Sequence, residues 1–385
     1  MKLVIFGLSV SSSWGNGHAT LWRGLCGALS QRGHRVVFFE RDVPYYANTR
    51  DLFELPGSGD LVLYSEWAEA LPAARAHLRD ADVAITTSYC PDAVAASDLA
   101  MESGRPLRVF YDLDTPVTLA RLEAGEAVDY IGPRGLADFD LVLSYTGGRS
   151  LDELRERLGA RAVAPLYGSV DPKIHRPVQH DPRYCADLGY LGTFARDRSE
   201  VLRALFLEPA RRLSDRKFVL AGAMYDEQFP WLPNVFFVNH LPPADHPAFY
   251  CSTKLALNVT RHAMARTGYC PSGRLFEATA CGAAVLSDAW EGIGEFFEPG
   301  REILLAGNTE DAMAALDRSP EDLVRIAARA RERTLAQHTA DVRAGELEQI
   351  LTRASEYRDS ERHPKHVEMS LDPAGRSARA TSEVA

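Results

Sequence analysis

The sequence has no apolar run of the roughly 20 residues that a membrane-spanning helix needs. It also lacks a basic excess. Its formal net charge is −10 at pH 7, whereas nucleic-acid binders gain most of their affinity from basic residues. The six cysteines form no C-x-x-C pair, and no histidines cluster at zinc spacing. These absences argue against a transmembrane protein, a nucleic-acid partner and a sequence-local metal site, and scattered free thiols favour the reducing cytoplasm.

The length and composition indicate a folded protein of two domains. A chain of 385 residues exceeds what one ordinary hydrophobic core supports, so two domains are the default expectation. Apolar residues make up 46% of the chain and charged residues 25%, which is typical of globular proteins.

The first half alternates strand and helix patterns. Residues 2–10 predict a buried parallel strand, residues 19–32 an amphipathic helix that stops at Gly33, and residues 35–40 a second strand. Further strands are predicted at 61–64, 82–87, 107–111, 140–145 and 162–167, and helices at 68–79 and 149–158. This alternation predicts an α/β domain with a parallel sheet covered by helices on both faces.

The pattern stops at residues 168–184, which contain three prolines and no apolar periodicity and therefore predict an interdomain linker. It then restarts, with strands predicted at 187–193, 217–222, 234–238, 254–259, 283–287 and 302–306, and helices at 198–213, 245–251, 273–281, 309–316 and 319–354. We therefore expect a domain at 1–170, a second at 171–355, and a disordered polar tail at 356–385. Ligands of such sheets bind beyond the carboxyl ends of the strands, so a cleft between the domains is the expected site.

The turn after the first strand carries Gly15, Asn16, Gly17 and His18. Glycines permit a tight turn, and the following helix start presents N–H groups to an anion or a polar ligand. Because imidazole ordinarily titrates near neutral pH, His18 is a candidate general base, and a capping or loop-stabilising role is the alternative. The turn is not a G-x-G-x-x-G fingerprint, since Thr20 takes the third glycine position, although Glu40 at the end of the second strand keeps a dinucleotide site open.

In the second half, cationic residues follow three predicted strands. Arg274 lies near a helix start and can grip a phosphate, while Glu277, three residues later on the same face, can accept bonds from a ribose diol. The alternative is a simple Arg–Glu ion pair of little energetic value, which the small residues from Ala278 to Ala284 argue against, because such a run needs close packing. Arg198 and Arg261 occupy the other two strand ends.

Three further features complete the predicted site. Gly292 and Gly294 precede a helical turn and can offer N–H groups to a sugar or a phosphate, an ordinary loop being the alternative. The D-x-D sequence at residues 112–114 is a possible metal-binding pattern, but it lies in the first half, so we favour an acceptor-side role for Asp114 without a metal. Asn16 and Asp42 are also expected on the acceptor side.

At these residues the chain resembles the GT-B glycosyltransferases, and more narrowly the CgeB-like (spore-maturation-protein-like) glycosyltransferases, over most of residues 1–350. The segments that carry the resemblance are 271–278 (PSGRLFEA), 281–282 (CG), 288–292 (DAWEG) and 297–303 (FEPGREI), with 168–171 (GSVD) at the linker and 15–18 (GNGH) at the start. The resemblance implies a GT-B fold of two Rossmann-like domains, with the last long helix crossing back to the first domain.

The resemblance also implies a function. Glu277 matches the glutamate that contacts the ribose of a nucleoside diphosphate sugar, and Arg198, Arg261 and Arg274 would surround the diphosphate. No cofactor or metal is implied, because protein cations and helix ends would stabilise the leaving group. The expected activity is transfer of a hexose-type sugar to a saccharide, protein or small-molecule acceptor.

One departure concerns stereochemistry. Many retaining relatives carry two glutamates eight positions apart, and the upstream position here is Tyr269. His18 would then serve as the base of an inverting displacement, with Asp42 near the acceptor. Three alternatives stay open: a sugar-nucleotide epimerase of the same fold, a nicotinamide-dependent dehydrogenase, and a non-catalytic sugar-nucleotide-binding subunit.

Overall fold

The computed structural model describes residues 1–57 and 59–362. Its first half is a sheet of seven parallel strands in the order β3-β2-β1-β4-β5-β6-β7. The strands are β1 Lys2–Gly7, β2 Arg35–Arg41, β3 Asp60–Tyr64, β4 Val83–Thr87, β5 Leu107–Asp112, β6 Leu141–Ser144 and β7 Val163–Pro165. The helices are α1 Gly17–Gln31, α2 Pro44–Ala47, α3 Trp67–Leu78, α4 Ala93–Ser103, α5 Thr115–Glu123 and α6 Arg149–Leu158.

The second half is a sheet of six parallel strands in the order β10-β9-β8-β11-β12-β13. Its strands are β8 Ala186–Leu191, β9 Phe218–Gly222, β10 Val235–Asn239, β11 Thr253–Asn258, β12 Val285–Ser287 and β13 Leu304–Leu305. Its helices are α7 Ser199–Leu202, α8 Glu208–Arg212, α9 His246–Ser252, α10 His262–Thr267, α11 Gly273–Ala280, α12 Ile293–Phe296, α13 Thr309–Leu316, α14 Pro320–Gln337 and α15 Ala340–Arg362.

Both sheets reverse their strand order at a central pair, β1 and β4 in the first and β8 and β11 in the second. The strands around these pairs are buried on both faces, as in β1, where Leu3, Val4, Ile5 and Phe6 are all fully buried. In α/β sheets the crevice that binds ligands opens beyond the carboxyl ends of the strands at this reversal. The α/β prediction of two Rossmann-like sheets is confirmed.

The last helix belongs to the core of the first sheet. Residues Ala344, Leu347 and Leu351 of α15 are buried in one cluster with Trp22 and Leu25 of α1. Just before α15, Thr339 pairs with Val170, and the backbone N–H of Val170 donates to the carbonyl of His338. The chain therefore crosses between the halves twice, side by side, at 170 and 339.

Three sequence predictions need correction. The first strand ends at Gly7 rather than residue 10, because the buried Glu40 carboxylate accepts the N–H groups of Val10 and Ser11 and turns the chain. The helical region predicted at 319–354 is two helices, separated where Thr339 pairs with Val170. The tail predicted to be disordered from residue 356 is helical through Arg362, and residues 363–385 lie outside the described part of the chain.

Candidate active site

A cleft of about 530 Å³ lies between the carboxyl edges of the two sheets. One wall comes from the β1–α1 turn and the end of β5, and the other from the strand ends of β8, β9 and β11 and the start of α11. The walls bring together His18 and Asp114 on one side with Arg198, Arg274 and Glu277 on the other. Residues that are far apart in sequence therefore share one crevice.

On the first wall, His18 and Asp114 form a pair. The His18 Nε2 atom lies 2.7 Å from an Asp114 carboxylate oxygen, and both side chains are mostly buried. The backbone N–H of Asp114 donates to Asp112 at 3.0 Å, which fixes the loop after β5. The Nε2 atom is engaged by Asp114, and the Nδ1 atom of His18 is buried and has no hydrogen-bond partner among the described residues.

Asn16 holds the turn that presents His18. Its side-chain oxygen accepts the His18 N–H at 3.1 Å, which caps α1, and its amide nitrogen donates to the carbonyls of Ser9 and Ser12. Asn16 is 7% exposed and its amide group is fully used, so its contribution to the site is mainly structural.

Two buried carboxylates, those of Asp112 and Glu40, lie next to this wall. Burial raises the pKa of Asp112 to about 6, with the nearby Asp114 acting in the same direction. Glu40 accepts hydrogen bonds from Ser9, Val10 and Ser11 and is fully buried. Because these donors occupy its carboxylate, Glu40 cannot bind the ribose of a dinucleotide. This removes the sequence argument for a nicotinamide site.

On the second wall, two guanidinium groups lie close together without a carboxylate. Arg198 donates to the carbonyl of Thr193 at 3.3 Å, and Arg274 donates to the Asn258 side chain at 3.2 Å. Neither arginine forms a salt bridge within residues 1–57 and 59–362. Burial, and then the charge of Arg274, lower the pKa of Arg198. Two cations facing one crevice repel each other, and an anion between them relieves that repulsion.

The third predicted arginine is different. Arg261 lines the cleft but pairs with Asp197 at 3.1 Å, so its charge is already partly balanced. The start of α11 presents backbone N–H groups to the cleft, because no side chain caps it and Ser272 and Gly273 line the cleft. The groups on this wall without a balancing carboxylate or cap are thus Arg198, Arg274 and this helix start.

Glu277 lies one turn further along α11. Its Oε2 atom is 3.4 Å from the Tyr250 hydroxyl, which donates to it, and 4.0 Å from the Nδ1 atom of His246. Burial lowers the pKa of His246. His246 and its neighbour His175 were not predicted as site residues, because nothing in their local sequence marks them and they approach Glu277 only through the fold.

Three predicted site residues lie away from the cleft lining. Asp42 forms an ion pair with Arg50 on the far side of the β1–α1 turn. Gly292 has a φ of +88°, and a Cβ there would lie 2.5 Å from the Tyr269 ring, so this glycine makes room for Tyr269 rather than for a ligand. Gly294 lies in α12 outside the cleft, and a Cβ added to it would meet no atom within 4 Å.

The two walls touch each other at several points. The Trp14 and His240 rings lie in contact, with centroids 3.5 Å apart and planes tilted by 39°, and the Gly147 N–H donates to the carbonyl of Tyr269 at 3.0 Å. Tyr269 has a φ of +47°, and its ring occupies space that a side chain at Gly148 would need. The described conformation is therefore one in which the domains are closed on each other.

Comparison with known proteins agrees with this architecture. The model of a family described as glycosyl transferase-like matches residues 198–349. No curated protein matches the sequence. Sucrose-phosphate synthase from Thermosynechococcus elongatus superimposes with a TM-score of 0.63 at 15% identity, over 92% of this chain and 99% of that one.

Two further solved structures have a fold similar to that of this chain. Anabaena HepE in complex with UDP and glucose has a TM-score of 0.66 at 12% identity, over 92% of this chain and 100% of that one. An alpha-glucosyltransferase in complex with UDP-glucose and DNA containing an abasic site has a TM-score of 0.65 at 12% identity, over 91% and 99% of the two chains.

The chain therefore has the GT-B fold, and its second half is glycosyl transferase-like in sequence. The narrower CgeB-like assignment stays a prediction. Among the described helices, none has both the length and the apolar character that crossing a membrane requires.

Proposed function

We propose that this protein is a glycosyltransferase that moves a hexose-type sugar from a nucleoside diphosphate sugar to an acceptor held near His18. The observation that carries this proposal is the pair of carboxylate-free guanidinium groups, Arg198 and Arg274, facing the His18–Asp114 pair across one cleft. A cationic crevice opposite a possible base matches a reaction that expels a diphosphate.

The donor diphosphate would lie between Arg198 and Arg274 at the start of α11. Guanidinium groups bind phosphate oxygens with charge-assisted hydrogen bonds, and an uncapped helix start adds N–H donors. These groups would stabilise the negative charge that develops on the leaving group, so the diphosphate needs no Mg²⁺ or Mn²⁺. Glu277 would accept bonds from the ribose hydroxyls through its carboxylate.

Uracil is the first base to test. The structures of Anabaena HepE and of the alpha-glucosyltransferase contain UDP or UDP-glucose, and those proteins share the fold of this chain. We carry that ligand class over to this chain as part of the proposal.

In the proposed reaction the acceptor hydroxyl oxygen attacks the anomeric carbon of the sugar. Its proton passes to the imidazole of His18, the bond from the anomeric carbon to the phosphate oxygen breaks, and the nucleoside diphosphate leaves. Asp114 would hold the imidazole in position through Nε2 and stabilise its protonated form. Closure of the two domains would exclude water and limit hydrolysis of the donor.

The test begins with thermal unfolding of the protein against UDP, GDP, ADP, CDP and dTDP, because a ligand that binds the folded state raises its stability. The best diphosphate identifies the donor series, and loss of those sugar nucleotides is then followed with and without saccharide acceptors and with and without added Mg²⁺. We expect stabilisation by at least one diphosphate, and acceptor-dependent release of that diphosphate without added Mg²⁺.

Other outcomes would contradict the proposal. No stabilisation by any nucleoside diphosphate would remove the donor site. Conversion of the donor to an epimer without an acceptor would identify the epimerase alternative, and diphosphate binding with no turnover would identify the binding subunit. A product with retained anomeric configuration would remove the role of His18 as the base of a direct displacement.

A further inference from the structure

Three side chains from separate parts of the second half converge at the second wall of the cleft, where His246 and Glu277 belong to the lining. His175 comes from the linker at 168–184, His246 begins α9, and Glu277 lies in α11. One ligand-type atom from each of them lies within 4.8 Å of the other two. Nothing in the glycosyl transfer proposed above uses His175, and it uses Glu277 only toward the ribose.

His175 is the unusual member of this cluster. It is 4% exposed, yet neither of its ring nitrogens has a hydrogen-bond partner among the described residues. A buried polar group without a partner costs on the order of 1–3 kcal/mol, so such a ring normally has one. It approaches the ring of His246 and the carboxylate of Glu277 within 4.8 Å without a hydrogen bond to either.

The hydrogen bonding of His246 defines which of its nitrogens is free. Its Nε2 atom lies 3.3 Å from the backbone carbonyl of Leu241, which is only an acceptor, so Nε2 carries the proton. In the neutral ring, Nδ1 then presents a lone pair to Glu277 Oε2, which is 4.0 Å away and is also an acceptor. Two electron-rich atoms at this distance form no hydrogen bond, and a cation between them would satisfy both. A backbone carbonyl behind the second nitrogen is the usual support of a metal-binding histidine.

From these contacts we infer that His175, His246 and Glu277 Oε2 bind one transition-metal ion of the zinc type. Two histidines and one glutamate form a three-residue ligand set for zinc that leaves a fourth position open. Ligands at zinc distances in a tetrahedron are about 3.4 Å apart, so the observed separations of up to 4.8 Å close with small side-chain movements.

The ion would act through Glu277 and would not touch the diphosphate. Glu277 Oε2 faces His246, whereas Oε1 lies 3.8 Å from the position of a Cβ on Gly273, which lines the cleft. One oxygen would therefore bind the metal while the other stays available to the donor. Because His175 belongs to the linker, the ion would also fasten the linker to the donor domain.

The experiment uses the full chain, stripped of metal with a soluble chelator and then titrated with ZnCl₂ in competition with a chromophoric chelator, with no nucleotide present. We expect one equivalent of tightly bound zinc, and Co²⁺ in its place should give the visible absorption of a tetrahedral site. His175→Phe keeps a ring of similar size in the buried position and removes the ligand, so it should fold and bind zinc at least about 100-fold more weakly. His180→Phe, on the exposed part of the same linker, is the matched control and should bind like the wild type.

Circular dichroism and thermal unfolding without metal establish that both variants fold, and His246→Gln provides a second ligand variant should His175→Phe not fold. Zinc binding that is absent from the wild type, or that is equal in wild type, His175→Phe and His246→Gln, would overturn the site. Nucleoside diphosphate binding to the metal-free protein is measured separately. Diphosphate binding without zinc binding overturns the metal site alone, and zinc binding without diphosphate binding overturns the proposed donor site alone.

Discussion

Acidification should destabilise this protein through His338, a buried histidine between helices α14 and α15. The ring is 6% exposed, packs with its centroid 4.6 Å from that of Phe276, and places Nε2 3.3 Å from the carbonyl of Phe296. Burial, followed by the nearby charge of Arg343, lowers the pKa of His338 from its usual 6.5 to about 3, with Arg333 adding to the effect. The folded state therefore holds this ring neutral.

The sign and size of the effect follow from proton linkage. Between pH 6.5 and pH 3 the unfolded chain binds a proton at His338 and the folded chain does not, so stability falls as the pH falls through this window. The contribution of the neutral His338 ring to the free energy of unfolding is complete above pH 6.5. Below that pH it decreases by about 1.4 kcal/mol per pH unit. At pH 5 the expected loss is about 2 kcal/mol relative to pH 7.5.

Urea unfolding at pH 7.5 and pH 5.0, followed by circular dichroism, measures this loss. His338→Phe keeps a ring against Phe276 and removes the titrating group, so its stability should change with pH by about 2 kcal/mol less than that of the wild type. The other titrating groups are common to both proteins and cancel in the comparison. An identical pH dependence in the two proteins would show that His338 makes no such contribution to stability.

Two further predictions concern the cleft and the start of α12. Asp114→Asn should reduce turnover of the donor by about 100-fold or more, because it disturbs the orientation and charge of His18. Nucleoside diphosphate affinity should stay within about twofold of the wild type. Steady-state kinetics and calorimetry test this, and a loss of diphosphate affinity equal to the loss of turnover would contradict it. Gly292→Ala should destabilise the protein by about 1–3 kcal/mol, because the residue has φ +88° and its Cβ would meet Tyr269, whereas Gly294→Ala should change stability by less than about 0.5 kcal/mol. Similar unfolding midpoints for the two glycine variants would show that the Tyr269 contact carries no strain.

The sequence predicted the sheets well and the element boundaries less well. Apolar runs and helical periodicity mark strands such as β2 and helices such as α6 because burial on one or both faces imposes the pattern directly. Helices α4 and α5 were not predicted from the sequence. The buried face of α4 consists mainly of alanines, and α5 is only nine residues long, so neither gives a strong helical pattern. The break between α14 and α15 depends on the pairing of Thr339 with Val170, a contact 169 positions distant in sequence that no local pattern reveals.

The site was predictable where it lies at strand ends. His18 and Arg198 follow strands β1 and β8, and Arg274 lies at the start of α11, which connects α10 to β12; all three line the cleft at the carboxyl edges of the sheets. Gly292 was selected by the same reasoning, but its positive φ serves a neighbouring ring. The approach of His175 and His246 to Glu277 could not be predicted, because three separate segments supply one residue each.

The central claim is that Arg198 and Arg274 bind the diphosphate of a nucleotide donor. Calorimetry measures the affinity for the nucleoside diphosphate that stabilises the protein best and for the corresponding phosphate-free nucleoside. The proteins compared are the wild type, Arg198→Gln, Arg274→Gln and the control Arg203→Gln. Arg203 is an exposed arginine in the helical turn that follows Arg198. Each of the two site variants should lose at least about 10-fold in diphosphate affinity, since a charge-assisted hydrogen bond contributes about 1.5–3 kcal/mol. Nucleoside affinity in all proteins, and diphosphate affinity in the control, should be unchanged. Equal diphosphate affinity in all four proteins would show that these arginines do not bind the diphosphate.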